Sequence, residues 1–116
     1  MINNPDAKLL RIFLGESDKY QQRPLYEMIV FEAKKQSMSG ATVTRGIMGF
    51  GANSTIHSAK LFDISSDLPI VIEIVDTEDK INLFVQTVEQ FLEESKSGGL
   101  ITLEKAQVIR YKSGKG

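Results

Sequence analysis

The sequence predicts an α+β domain with two helices laid on one face of an antiparallel sheet. Three observations carry this. Two short apolar runs, Lys8 to Leu14 and Ile70 to Val75, have the length of buried strands. Each is followed by a segment with helical apolar spacing. Turn residues and glycines separate these segments, and no interdomain linker or internal repeat interrupts them. A chain of 116 residues suits one domain, residues 1–116, with residues 1–7 and 112–116 expected to be flexible.

In chain order, Lys8 to Leu14 is broken only by Arg11 and closed by Gly15, so it reads as a strand. Glu16 to Arg23 is polar and reads as a loop. Pro24 fits the first position of a helix, where its missing N–H costs nothing. Leu25, Met28, Ile29 and Ala33 then recur at helical spacing, with Lys34 and Lys35 near the negative end of the dipole and Gly40 as a stop. Ala41 to Ile47 begins as a β-rich run, Thr42-Val43-Thr44. Gly46, Gly49 and Gly51 punctuate the end of this run and the residues just beyond it. Ile56 to Phe62 reads as a strand or as one arm of a protruding hairpin, and Asp63 to Pro69 is turn-rich. After the strand Ile70 to Val75, Thr77 caps a helix with Glu78 and Asp79 in its first turn. Ile81, Phe84, Val85, Val88, Phe91 and Leu92 give that helix one apolar face. It frays into Ser95 to Gly99, and two extended pieces complete the chain, Leu100 to Leu103 and Ala106 to Tyr111.

This order is the ferredoxin-like βαββαβ sandwich, with an extended loop or hairpin between strands 2 and 3. The two strands expected to be central are apolar on both faces, and helices can cover only one. With Leu10, Ile12, Leu14, Ile70, Ile72 and Ile74 toward the helices, Leu9, Arg11, Phe13, Val71, Glu73 and Val75 form the other face. So apolar a face is expected to pack against other subunits, with Arg11 and Glu73 paired inside the contact. Cover by a loop or by the tail within one chain is the alternative.

Composition excludes several functions. The chain has no cysteine, so disulfides, thiolate nucleophiles and cysteine-based zinc sites are out. A formal charge of −1 lacks the basic excess of a dedicated nucleic-acid binder. No apolar run approaches the roughly 20 residues that span a bilayer, and the first residues lack a signal-peptide pattern, so a cytoplasmic chain without direct membrane insertion is expected. His57, the single histidine, is a poor metal site by itself. Glu16, Asp18 and Asp6 read as a solvated acidic loop rather than a paired acid and base. No nucleophile elbow or Walker motif occurs, so no enzyme is expected.

Three features remain. The glycines 46, 49 and 51 read either as a loop base or as backbone that cradles phosphate. Gly98-Gly99 reads either as a helix end with a turn or as N–H donors for an anion. Arg110 and Lys112 share a side if the last strand continues, which suits an anionic ligand, and a solvated tail is the alternative.

Together these features resemble the PII signal-transduction proteins. The run Gly40-Ala-Thr-Val-Thr-Arg-Gly-Ile-Met-Gly-Phe-Gly51 is similar to their second strand and the base of their mobile T-loop. Arg110-Tyr-Lys-Ser-Gly114 is similar to their basic ending, and Gly98-Gly99 falls at their glycine-rich loop. Gly15-Glu-Ser-Asp-Lys-Tyr20, Arg23-Pro-Leu-Tyr26, Ile56-His-Ser-Ala59 and Leu68-Pro-Ile-Val-Ile-Glu-Ile-Val75 resemble still more closely a little-characterised bacterial PII-like family of unproven function. The resemblance implies a homotrimer with sheets facing inward and a small anionic ligand, such as an adenine nucleotide, in the clefts between subunits. It implies Thr42 at a base or ribose, with Gly49, Phe50, Gly51 and Asn53 along the cleft. Gly98 and Gly99 would then face phosphates that Arg110 and Lys112 neutralise. A membrane transporter or channel is the partner it suggests, either controlled through the loop or joined by a structural accessory subunit without ligand sensing.

The departures are specific. The stretch from Thr44 to Gly49 is one residue longer than in typical PII proteins, Ala52-Asn53 replaces their Arg/His-Gln, the T-loop tyrosine is absent, and Leu100 stands where their loop lysine would be. Two other readings share the element order. An RNA-recognition motif needs aromatic rings on its third strand, and Ile70 to Val75 has none. An acylphosphatase-like enzyme needs an arginine in a phosphate-cradling loop, and Arg23 instead precedes Pro24.

Overall fold

The computed structural model describes residues 6–52, 57–58 and 67–114. Its elements are β1 (Ala7–Gly15), β2 (Lys19–Tyr20), β3 (Arg23–Pro24), α1 (Leu25–Lys35), β4 (Thr42–Arg45), β5 (Met48–Gly49), β6 (His57–Ser58), β7 (Pro69–Thr77), α2 (Glu78–Ser95) and β8 (Leu100–Lys105). The main sheet has the order β4-β7-β1-β8 with every pairing antiparallel. That is the ferredoxin-like α+β fold, and β5 pairs with β6 as a small hairpin between β4 and β7.

The two-faced pattern of the central strands sets the layers. Leu10, Ile12 and Leu14 of β1 and Ile70, Ile72 and Ile74 of β7 are buried against the helices. Leu25, Ile29 and Ala33 of α1 and Ile81, Phe84, Val88 and Leu92 of α2 complete that core. Each fully buried Ile or Leu contributes roughly 1.5–3 kcal/mol of apolar burial. On the other face, Arg11 lies opposite Glu73 in the β1–β7 register, and its Nε donates to Glu73 Oε2 at 2.9 Å. Glu104 of β8 accepts from the same guanidinium. Both partners hold the Arg11 proton more tightly than usual, the Glu73 hydrogen bond most of all.

The helix ends are set by local chemistry. The Thr77 hydroxyl accepts from Lys80 N, as the sequence predicts, and holds the start of α2. Pro24 falls one position earlier than expected. It is the N-cap of α1 at φ −56°, ψ 125° and closes β3, so its extended ψ belongs to the strand. Gly40 does not stop α1. The helix ends at Lys35, and Ser37 takes the left-handed turn at φ 60°, with Met38 N bonded to Ala33 O and Ser37 N to Lys34 O. In α2 the same geometry falls on Lys96 at φ 57°, with Ser97 N bonded to Leu92 O.

Two other segments depart from expectation. The polar stretch after β1 contains the hairpin β2–β3, whose turn residues Gln21 and Gln22 have φ of 51° and 67°. A two-residue hairpin needs such angles to follow the strand twist, and glutamine gives no sequence signal for them. At the C-terminal end, β8 runs unbroken to Lys105, and Ala106 to Tyr111 is not a strand. Ala106 N turns in to Ala7 O at 3.0 Å, and the chain crosses the end of the open face instead of continuing along the sheet edge. Of the segment expected as an extended strand from Ile56 to Phe62, only His57 and Ser58 lie among the described residues.

A left-handed lysine costs roughly 1 kcal/mol relative to glycine. Lys96→Gly is therefore expected to stabilise the chain by about 0.5–1 kcal/mol in urea unfolding, after allowance for the looser unfolded chain. Lys96→Val is expected to destabilise it.

Candidate functional site

The sequence-predicted residues fall into three places. Thr42, the first residue of β4, sits opposite Glu73 and faces the open side of the sheet. Arg110 shares a groove with it. The floor of this groove is Leu9 and Val75, its walls are residues 39–42 and 106–111, and its volume is about 690 Å³. A chain of polar contacts holds the walls. Asp76 is buried, and its Oδ2 accepts from Ser39 N at 2.8 Å while its Oδ1 accepts from Thr77 N at 2.7 Å. The Ser39 hydroxyl donates to Val75 O, and the Tyr111 hydroxyl donates to Ser39 O. The tail is thus tied at Ala106 and again at Tyr111, and Arg110 lies between the ties. Arg110 and Lys112 are exposed and form no ion pair among the described residues. Because the ladder stops at Lys105, strand alternation does not place Lys112 beside Arg110, contrary to the expectation.

Gly49, Phe50 and Gly51 lie at the opposite end of the sheet, on the β4 edge. Phe50 is exposed, as are Ile47 and Met48 beside it. The glycines here answer to crowding rather than to left-handed backbone. A Cβ on Gly46 would lie 2.8 Å from Pro69 Cγ, and one on Gly49 would lie 3.2 Å from it. Gly46 N is bonded to Pro69 O at 2.7 Å, so it is not a free donor for a ligand. Gly51 meets nothing within 4 Å. Asn53 lies outside the described residues.

Gly98 and Gly99 lie at the same end as Gly49 but on the β8 edge. Gly98 is open, and a Cβ on Gly99 would approach Phe13 O at 3.3 Å. They line a shallow groove of about 500 Å³ with Glu89, Glu93 and Lys96. Lys96 is a cation that sequence reasoning missed. The left-handed turn at the end of α2 brings it to the glycines, and nothing in its spacing announces this. Three strand spacings, about 14 Å, separate the two edges of one sheet. One chain therefore unites Thr42 with Arg110, but it holds Gly49–Gly51 and Gly98–Gly99 apart.

The acidic group Glu16, Asp18 and Asp6 does not assemble. Asp6 O receives Glu78 N at one end of β1, while Glu16 pairs with Arg45 and Asp18 Oδ2 accepts from Gly15 N at the other. Among the described residues no cluster of His, Asp or Glu could hold a metal ion. No described helix is long and apolar enough to cross a membrane.

This geometry belongs to a known class: the chain has the fold of PII-like proteins. It superposes on the nitrogen regulatory PII-like protein CPII from Thiomonas intermedia K12, solved with ADP, AMP and bicarbonate, with TM-score 0.67 and 20% identity over 90% of this chain and 89% of that one. A putative PII-like signalling protein from Thermus thermophilus gives TM-score 0.61 and 17% identity over 89% and 88% of the two chains. Residues 7–108 match the family DUF190, described as "Uncharacterized ACR, COG1993", and the chain belongs to that family. A UPF0166 protein from Aquifex aeolicus is 42% identical over 102 residues, 88% of this chain and 92% of its own length.

The Pro69 contact is directly testable. Gly46→Ala is expected to lower stability by about 1–2 kcal/mol through overpacking, with recovery in the double variant Gly46→Ala/Pro69→Ala. Gly51→Ala is expected to be near neutral in the same denaturation assay.

Asp18 gives a pH signature. Burial pushes its carboxyl above the ordinary range, the Gly15 N–H bond opposes this, and the like charge of Asp67 adds to it. The folded chain then holds this proton more tightly than the unfolded one. Its contribution to stability is full at low pH and is lost as pH rises through the raised value. Asp18→Asn keeps an acceptor for Gly15 N. It is expected to abolish this loss, so that the variant gains on the wild type as pH rises through the raised value and keeps that gain above it, as measured by denaturation across a pH series.

Proposed function

We propose that this protein is a non-enzymatic PII-like regulator. Copies of the chain assemble through the open sheet face as a homotrimer and bind a small anionic ligand, an adenine nucleotide by preference, in the clefts between them. The observation that carries this reading is the placement of the glycine segments on opposite edges of one sheet, at the same end. Edges of that kind meet only when copies stand side by side. Gly49, Phe50 and Gly51 of one copy then face Gly98 and Gly99 of the next. Thr42 lies farther along the β4 edge, toward the groove that holds Arg110, so a ligand that meets both must extend along the cleft away from the glycine end, and Asn53 follows the loop base in sequence.

Chemistry supports an anion. Arg110 and Lys112 are cations without carboxylate partners among the described residues, and Lys96 stands beside the open backbone of Gly98. The fold relative CPII is described as bound to ADP, AMP and bicarbonate, which supports adenine nucleotides as the first ligands to try. Occupancy of the cleft would act on a partner through the connection between β4 and β7, because ligand contacts favour one arrangement of that segment over others. A membrane transporter or channel is the partner class the family resemblance suggests, reached from the cytoplasm.

Isothermal titration of the assembled protein with ADP, AMP and ATP tests the reading. At least one is expected to bind, and Arg110→Ala is expected to weaken it about tenfold or more, as loss of a charge-assisted hydrogen bond of roughly 1.5–3 kcal/mol implies. An intact assembly that binds none of the three would overturn the reading.

A further inference from the structure

The turn after β1 touches both ends of the connection between β4 and β7. At the departing end, the Glu16 carboxylate pairs with the Arg45 guanidinium, and Gly46 N donates to Pro69 O at 2.7 Å. At the returning end, Glu16 N donates to Leu68 O at 2.8 Å and Ser17 N donates to Asp67 Oδ1 at 2.7 Å. The Asp67 carboxylate lies so close over Gly15 that an added Cβ would stand 2.7 Å from both of its oxygens. The turn closes on itself, with Asp18 Oδ2 accepting from Gly15 N at 2.9 Å.

The turn also has a fixed footing. Asp18 O receives Leu25 N at 2.8 Å at the start of α1. The following hairpin packs Tyr20 against Phe91 of α2 in a tilted ring contact, centroids 5.0 Å apart, and the Tyr20 hydroxyl donates to Glu94. The β4–β7 ladder, by contrast, stops at Arg45 and Ile70. Beyond that pair the ends of the connection are held by the turn, by Pro69 and by the last β1–β7 pair, Gly15 with Pro69.

We propose that residues 15–18 form a latch, which clamps the two ends of the β4–β7 connection and opens as a unit separate from the sheet. Its ties are few and near the surface. The neutral bond from Glu16 N to Leu68 O and the exposed ion pair each contribute little, so the stronger bond from Ser17 N to the Asp67 carboxylate is the main tie. So small a set is the character of a locally opening segment. Of the three carboxylates at the turn, Glu16 pairs with Arg45, while Asp18 and Asp67 accept from the backbone and act on each other as like charges, which the closed latch leaves uncompensated. The central strands share these ties only at their last pair, Gly15 with Pro69, and opening leaves the rest of the β1–β7 ladder paired. The inference concerns the free protein and stands whether or not a nucleotide binds.

Amide hydrogen exchange on the intact, ligand-free protein tests it. In Asp67→Ala, the amides of Glu16, Ser17 and Gly46 are expected to exchange at least tenfold faster, while those of Ile12 and Ile72 in the central strands change less than twofold. Asp67→Asn, which keeps an acceptor for Ser17 N, is expected to restore protection. Gly15→Ala, which drives a methyl into the carboxylate, is expected to behave as Asp67→Ala does. If it does not fold, Asp67→Ala alone carries the test, because it adds no clash. Unchanged protection at Glu16, Ser17 and Gly46 in Asp67→Ala would overturn the latch. So would an equal rise at Ile12 and Ile72, since the turn would then be part of the sheet's own cooperative unit.

Discussion

The antiparallel register of β1 on β7 is the constraint on which the rest depends. It sets Leu10, Ile12 and Leu14 against Ile74, Ile72 and Ile70 on the helix side, and it sets Arg11 against Glu73 on the other. A one-residue slip would turn the isoleucines outward and bury the charges. The same register ends at Gly15 opposite Pro69, which brings Asp67 onto the turn and Gly46 onto the proline ring. The core, the open face and the loop base all derive from one alignment.

That alignment was legible because it rests on alternation, a local pattern. The central strands, the buried faces of both helices, the Thr77 cap and the Arg11–Glu73 pair could be read from spacing alone. Features that depend on distant partners could not. Gly46 and Gly49 read either as a loop base or as a cradle for phosphate, and spacing alone could not reveal that both also lie against Pro69, far along the chain. Gly40 read as the end of α1, because nothing in the identity of Ser37 marks it for a left-handed turn. Gln21 and Gln22 hide a hairpin for the same reason. The tail from Ala106 to Tyr111 has strand-forming residues, yet a contact with Ala7 draws it off the edge.

The open face explains why a short chain suits an assembly. The tail crosses only its Leu9 and Val75 end. Phe13 and Val71 remain half-exposed beyond it, beside the more exposed Leu100. The Arg11, Glu73 and Glu104 group gives this face a polar centre that would fix the orientation of a packed copy, and the Arg11 bonds would gain strength as water left. The same packing would bring the β4 edge of one copy to the β8 edge of the next, which is what the proposed cleft between copies calls for.

The central claim is that the site is built across copies, and subunit mixing tests it most directly. Gly51→Asp and Gly98→Asp each place a carboxylate at an open position, one on each half of the proposed cleft. Assemblies of either variant alone should fail to bind a fluorescent ADP analogue. Assemblies re-formed from the two together should regain binding, because some clefts then contain two unaltered halves. No recovery in verified mixed assemblies, or binding that persists in either variant alone, would contradict the account.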